Sequence, residues 1–150
     1  MDTKSWRIFL DASALISGII SQTGASAAIL DLGEAGEILI VLNKFILIET
    51  DRIFEKKFPG LIDDFRKFIK NLDPIIIADP SPQEIRAAEK VIDKDDAIIL
   101  AAAKRGNVNY LVSLDTKHFH SKKAKQYFQC PIVTPAQFLM EFRKIFEKSQ

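Results

Sequence analysis

Apolar positions in this chain come in blocks. Short continuous runs stand at residues 7–10 (RIFL), 37–42 (EILIVL), 75–78 (IIIA), 110–114 (YLVSL) and 132–133 (IV). Runs of this kind, without polar alternation, fit strands of a sheet covered on both faces. Longer periodic segments fall between them. Helices are predicted over 13–21, over 26–36 ending on Gly36, over 44–58 stopped by Pro59 and Gly60, and over 61–72. Ser81-Pro82-Gln83-Glu84 reads as a capping box with proline at the first helical position, so a helix starts there. Asp95 is expected to cap the next helix, which ends at Gly106. Thr134-Pro135-Ala136-Gln137 is a second capping box and opens a C-terminal helix. Strands separated by helices require crossover connections. The predicted fold class is therefore α/β, a three-layer α/β/α sandwich with a central parallel sheet of about five strands. In such sheets the site forms at the carboxyl ends of the strands.

Composition narrows the picture. A length of 150 residues, without repeats or a linker, fits one domain over residues 1–150. A hydrophobic content of 47% argues against disorder. The single cysteine, Cys130, permits no internal disulfide, and two histidines with one cysteine are too few for a structural zinc site. This suits a reducing, cytoplasmic setting. No signal peptide is expected, and the first apolar run is interrupted by Asp11 and too short for a membrane span. The net charge is +1 but unevenly placed: residues 1–103 carry 12 Lys+Arg against 17 Asp+Glu, and residues 104–150 carry 9 against 3. An acidic region thus stands beside a basic one.

Four acids carry the candidate chemistry. Asp11 follows the first strand directly and Asp115 follows the fourth, so both aim at one rim of the sheet. Taken singly, Asp11 can equally cap the following helix and Asp115 a turn at Thr116-Lys117. Asp96 opens a helix whose body, AIILAAA, is almost wholly apolar and must be buried. Its neighbours Asp93 and Asp95 read as capping or solvated residues. Glu49 has Phe45, Ile46, Arg52 and Ile53 at helical spacing, which turns it inward. A buried acid is costly unless paired or bound to metal. Four converging carboxylates suit a hard cation, Mg²⁺ or Mn²⁺, rather than Zn²⁺. Such ions activate water and neutralise phosphodiester oxygens under in-line attack.

The stretches FLDASALISGI, GASAAILDLGEAGEILIVLNKFILIETDRIFEKKFPG, DDAIILAAAKRGNVNYLVSLDTKHF and IVTPAQFL, in this order, resemble the PIN domain family, in particular the bacterial and archaeal members grouped with toxins of toxin–antitoxin pairs. The resemblance implies a metal-dependent endoribonuclease using Mg²⁺ or Mn²⁺. It assigns Asp11, Glu49, Asp96 and Asp115 to the four acidic catalytic positions, with Asp11, Asp96 and Asp115 as metal ligands and Ser13 supporting the first aspartate. It also implies an RNA substrate, an antitoxin partner and a homodimer. One departure stands out. Some members carry a further acid just beyond the fourth position, where this chain has Lys117 and His118.

The segment TKHFHSKKAK gathers Lys117, Lys122, Lys123, Lys125, His118 and His120 just after Asp115. It reads either as a phosphate-contacting rim or as a solvated basic loop. His118 is a weaker candidate for a general acid. The 11 phenylalanines fall mostly at core positions rather than on stacking platforms, and Cys130 reads as a small apolar residue. Two other functions compete. A catalytically inactive PIN-like module that binds RNA or protein would not need all four acids. A haloacid-dehalogenase-type phosphatase would need a second aspartate where Ser13 stands.

Overall fold

The computed structural model describes residues 2–119 and 121–149. Five strands form one sheet: β1 (Arg7–Leu10), β2 (Leu39–Asn43), β3 (Ile75–Ile77), β4 (Tyr110–Val112) and β5 (Ile132–Val133). They lie in the order β3-β2-β1-β4-β5, with every pair parallel. β1 is central: Phe9 stands opposite Val41 on β2 and Leu111 on β4. Ile8, Phe9 and Leu10 are buried almost completely, as the uninterrupted apolar run requires.

The helices are α1 (Ala12–Ile20), α2 (Ala25–Glu34), α3 (Lys44–Lys57), α4 (Ile62–Leu72), α5 (Pro82–Glu89), α6 (Lys94–Arg105), α7 (Lys122–Tyr127) and α8 (Pro135–Ser149). From β1 through β2 to β3 the chain steps one way across the sheet; from β3 to β4 and β5 it steps back. Right-handed crossovers therefore put α1–α4 on one face and α5–α7 on the other. The packing agrees: α1 meets α2 and α3, α3 meets α4, and α8 lies on α2, while α5 packs on α6. Gly18 permits the close approach of α1 to α2. A Cβ there would stand 2.5 Å from Leu30 Cδ1 and 3.0 Å from the Ser26 backbone.

Sequence and structure differ in places. β2 begins two residues later than its apolar run and includes Asn43. β4 ends at Val112 because the buried Ser113 turns its hydroxyl back to the N–H and carbonyl of Asp115. Asp93, not Asp95, is the N-cap of α6, and Asp95 sits inside the first turn. The basic segment is not a plain loop: Lys117–Phe119 form a 3₁₀ turn, and α7 follows, capped by Ser121 onto Ala124 N–H at 3.1 Å. Both capping boxes are present, at Ser81/Glu84 and at Thr134/Gln137. Among the described residues no single helix is long and apolar enough to cross a membrane.

A candidate metal centre at the reversal of strand order

The strand order reverses between β1 and β4, and at such a switch point the loops leaving two neighbouring strands diverge and open a crevice. Asp11 and Asp115 stand on that crevice. Asp11 follows β1 directly, and its N–H donates to Val112 O of β4 at 3.2 Å. Its Oδ1 accepts from Ala14 N–H (2.9 Å) and from the Ser13 hydroxyl (2.7 Å). The carboxylate thus caps α1, and Ser13 fixes its orientation. Capping and site roles coexist, because one oxygen carries both bonds.

Glu49 enters from α3 and is half-buried. Burial, and then the negative charge of Asp11, push its carboxyl above the usual range. Glu49 thus lies near enough to Asp11 to feel its charge, on the side of the crevice where α1 meets α3. What anchors α3 is Asn43 at the end of β2, which is fully buried. Its Oδ1 accepts from Ile46 N–H at 3.1 Å, and its Nδ2 donates to Asp79 Oδ1 at 3.0 Å. The same Asp79 oxygen accepts from Phe45 N–H at 3.0 Å. Asp79 lies just past β3, so two strand ends jointly hold the first turn of α3 and, with it, Glu49.

The second group of acids gathers at the first turn of α6. Asp96 is half-buried, and burial is the largest cause of the upward shift of its carboxyl. Asp93, Asp95 and Asp115 add to the shift as like charges, while His118 opposes it. Asp93 caps α6 by backbone alone, with no side-chain cap bond. Ligand atoms of Asp93, Asp96 and His118 lie within 4.8 Å of one another, the one such group among the described residues. His118 also pairs with Asp115, Nε2 to Oδ2 at 3.3 Å. Asp115 is exposed, and its Oδ1 accepts from Lys117 N–H at 3.2 Å.

By the charges they feel, the four expected acids fall into two groups, Asp11 with Glu49 and Asp96 with Asp115. The group whose ligand atoms lie within 4.8 Å of one another includes Asp96 alone of the three expected ligands Asp11, Asp96 and Asp115. Sequence reasoning set Asp93 aside and gave His118 only a minor part. Position could have found both: Asp93 and Asp96 are three apart at a helix start, as are Asp115 and His118 around a tight turn. Carboxylates with one imidazole make a donor set able to hold a divalent cation. Crowding of like charge around Asp96 gives such a cation an energetic reason to bind.

Of the basic residues, Lys117, Lys122, Lys123 and Lys125 are all exposed, the last three on α7. His120 lies outside the described residues. Cys130 is half-buried, its thiol pushed up by burial and donating to Val108 O at 2.8 Å.

Residues 7–117 match the family model described as PIN domain. No curated protein matches the chain in sequence. Among solved structures, the chain is similar to PAE2754 from Pyrobaculum aerophilum, with TM-score 0.61, 15% identity, and 93% of this chain and 90% of that one covered. It is similar to VapBC2 from Rickettsia felis, solved bound to a DNA fragment from their promoter, with TM-score 0.62 and 16% identity over 85% of this chain and 98% of that one. It is also similar to FitAcB from Neisseria gonorrhoeae, with TM-score 0.57 and 18% identity over 85% and 97% of the two chains. At these identities the likeness speaks for the fold.

Proposed function

The chain belongs to the PIN domain family, and from that premise we propose that it is a metal-dependent endoribonuclease whose site is the divided acidic rim at the β1/β4 switch. The observation that carries the proposal is the crowding at Asp96. Burial, and then three further carboxylates, raise its protonation affinity, and among the described residues His118 is the group that counters them. Acids so arranged cost stability unless a cation or a proton is shared among them.

Asp93, Asp96 and His118 would hold the ion, with Asp115 orienting the imidazole through its contact with Nε2. Such a cation, when bound, lowers the pKa of a bound water and neutralises phosphate oxygens. Asp11 and Glu49 face the same crevice from the other side. Ser13 locks the Asp11 carboxylate, and the Asn43–Asp79 pair locks the start of α3, so that both acids are preorganised. Lys117, Lys122, Lys123 and Lys125 would bring in the RNA backbone by sequence-independent phosphate contacts. The proposal extends to a single domain over residues 1–150, a cytoplasmic setting, pairing with a second copy, and an antitoxin as protein partner. Fold likeness to VapBC2 and FitAcB supports the last.

The test is cleavage of a panel of structured and single-stranded RNAs, with Mg²⁺, with Mn²⁺ and with neither, by wild type and Asp96→Asn. Cleavage should require the cation and fall on the order of 100-fold or more in the variant. Equal activity in both proteins overturns the nuclease reading. RNA binding with no cleavage under any metal condition favours a non-catalytic binding module.

A further inference from the structure

Beside the acidic rim, α3 carries a feature that the proposed chemistry does not use. Phe45, Ile48, Arg52, Ile53, Lys56 and Lys57 line a groove of about 460 Å³, together with Glu49 and Asp79. Along this helix Phe45, Ile48, Arg52 and Lys56 succeed one another at intervals of three and four, so they form one stripe. Phe45 is 37% exposed and Ile48 43% exposed, unusual for large apolar side chains on a helix whose opposite face holds the fully buried Ile46 and Phe54.

The charges on the groove are equally uncompensated. Among the described residues, Arg52, Lys56 and Lys57 have no ion-pair or hydrogen-bond partner, although the neighbouring Asp51 is engaged with Arg66 at 2.9 Å. Lys56 and Lys57 occupy the last turn, where the helix dipole favours cations. Arg52 does not, and it stands four residues before Lys56, a like-charge spacing that destabilises a helix. A bound anion would reverse the sign of that contact. The groove therefore offers an exposed aromatic ring, an apolar floor and three cations without a partner among the described residues, and its lining includes Glu49, an acid of the proposed catalytic rim. Aromatic platforms flanked by cations are what single-stranded nucleic acid requires: bases stack, and the backbone follows the charge.

We propose that this groove on α3 binds an unpaired segment of the RNA substrate next to the scissile phosphate, with Phe45 stacking a base and Arg52, Lys56 and Lys57 holding the backbone. The inference rests on the ribonuclease reading for the location of the scissile bond, but not for RNA binding itself. It makes the α3 face a second contact surface besides the lysines of α7, and it sets a preference for unpaired over duplex substrate, since a stacked duplex offers no free base to Phe45.

The experiment measures fluorescence anisotropy of a labelled single-stranded oligoribonucleotide in EDTA, where cleavage is silenced, over a salt series. Phe45→Ala should weaken binding about tenfold, and Phe45→Trp should restore it. Arg52→Gln/Lys56→Gln/Lys57→Gln should weaken it further and flatten the log–log salt slope by about 2. An oligonucleotide of the same length with abasic positions should lose its dependence on residue 45 and keep its dependence on the three cations. All the substituted side chains are exposed or half-buried, and circular dichroism checks that each variant folds. Affinity and slope equal to wild type in both variants overturn the proposal and assign the groove to a polypeptide. A change from dimer to monomer by light scattering in Phe45→Ala also overturns it, making the face a contact between copies. The two readings fail separately. A protein that cleaves RNA while ignoring these substitutions loses only the groove; one that needs them to bind but never cleaves loses only the nuclease.

Discussion

Replacing Asn43 by Ala removes two hydrogen bonds made by a side chain with no exposed surface. One is the N-terminal cap of α3, and loss of such a cap costs about 0.5–2 kcal/mol. The other is donated to the carboxylate of Asp79, and hydrogen bonds to charged groups contribute roughly 1.5–3 kcal/mol. Both belong to one residue, so the two figures overlap, and the expected loss is about 2–4 kcal/mol. For a chain of this length that lowers Tm by roughly 5–15 °C. Ser121→Ala, which removes the exposed cap of the short helix α7, should cost about 1 kcal/mol or less. Asn43→Asp keeps the capping oxygen but turns a donor 3.0 Å from Asp79 into a second carboxylate. Its penalty should grow as pH rises through the carboxylate range. Urea unfolding with a common slope for all variants measures each difference. Because Asn43 also fixes the turn of α3 that leads to Glu49, RNA cleavage should fall more in Asn43→Ala than in Ser121→Ala. Asn43→Ala within about 0.5 kcal/mol of wild type would refute the assignment of Asn43 and Asp79 as the anchor of α3.

Mn²⁺ at about a hundred times its Kd should stabilise the protein by about 2.7 kcal/mol, read as a rise in Tm, and Asp96→Asn should abolish the rise. In EDTA the raised Glu49 carboxyl penalises the folded state wherever the unfolded chain is already ionised, so its effect grows as pH rises through the carboxylate range. Glu49→Gln should accordingly be more stable than wild type at neutral pH, with the difference vanishing below about pH 4; a difference independent of pH would assign it to packing instead. Asp11→Asn should lower cleavage on the order of 100-fold, whereas Glu55→Gln, on the exposed face of α3, should leave it unchanged in the same assay. Replacing Lys122, Lys123 and Lys125 together by Ala should weaken RNA binding and flatten its salt slope by about 2, while Mn²⁺ stabilisation persists; an unchanged slope would mean that RNA does not approach over α7.

The central strand was legible because a strand covered on both faces leaves no room for polar residues, so Ile8, Phe9 and Leu10 read directly, whereas IV at the half-buried edge read from its β-branched residues alone. Asp11 and Asp115 were legible for the same reason, each being the first acid after such a run. Helix α7 was not, because KKAKQY buries only Ala124 fully and gives periodicity nothing to detect. The cap of α6 was misplaced by two residues because DKDD offers three aspartates, and only the backbone turn at Asp93 selects among them. Asn43 was missed because its partner, Asp79, is 36 residues away and local spacing carries no trace of it. Grouping the acids in pairs likewise depends on where α3 and α6 meet the sheet, which no single segment encodes.

The seam between β1 and β4 joins residues a hundred positions apart, closed at one end by Arg7 N–H on Asn109 Oδ1 at 2.7 Å. During synthesis Asp11 and Glu49 leave the ribosome first, while β1 still waits as a bare edge. At roughly 5–20 residues per second, the other half of the site follows several seconds later. On the proposed nuclease reading, a nascent chain lacks half of its site until Asp96 and Asp115 have emerged. The same seam makes the molecule divisible. A break in the loop between β3 and α5 would leave Asp11 and Glu49 on one piece and Asp96 and Asp115 on the other, so that cleavage would report directly whether the two pieces had found each other.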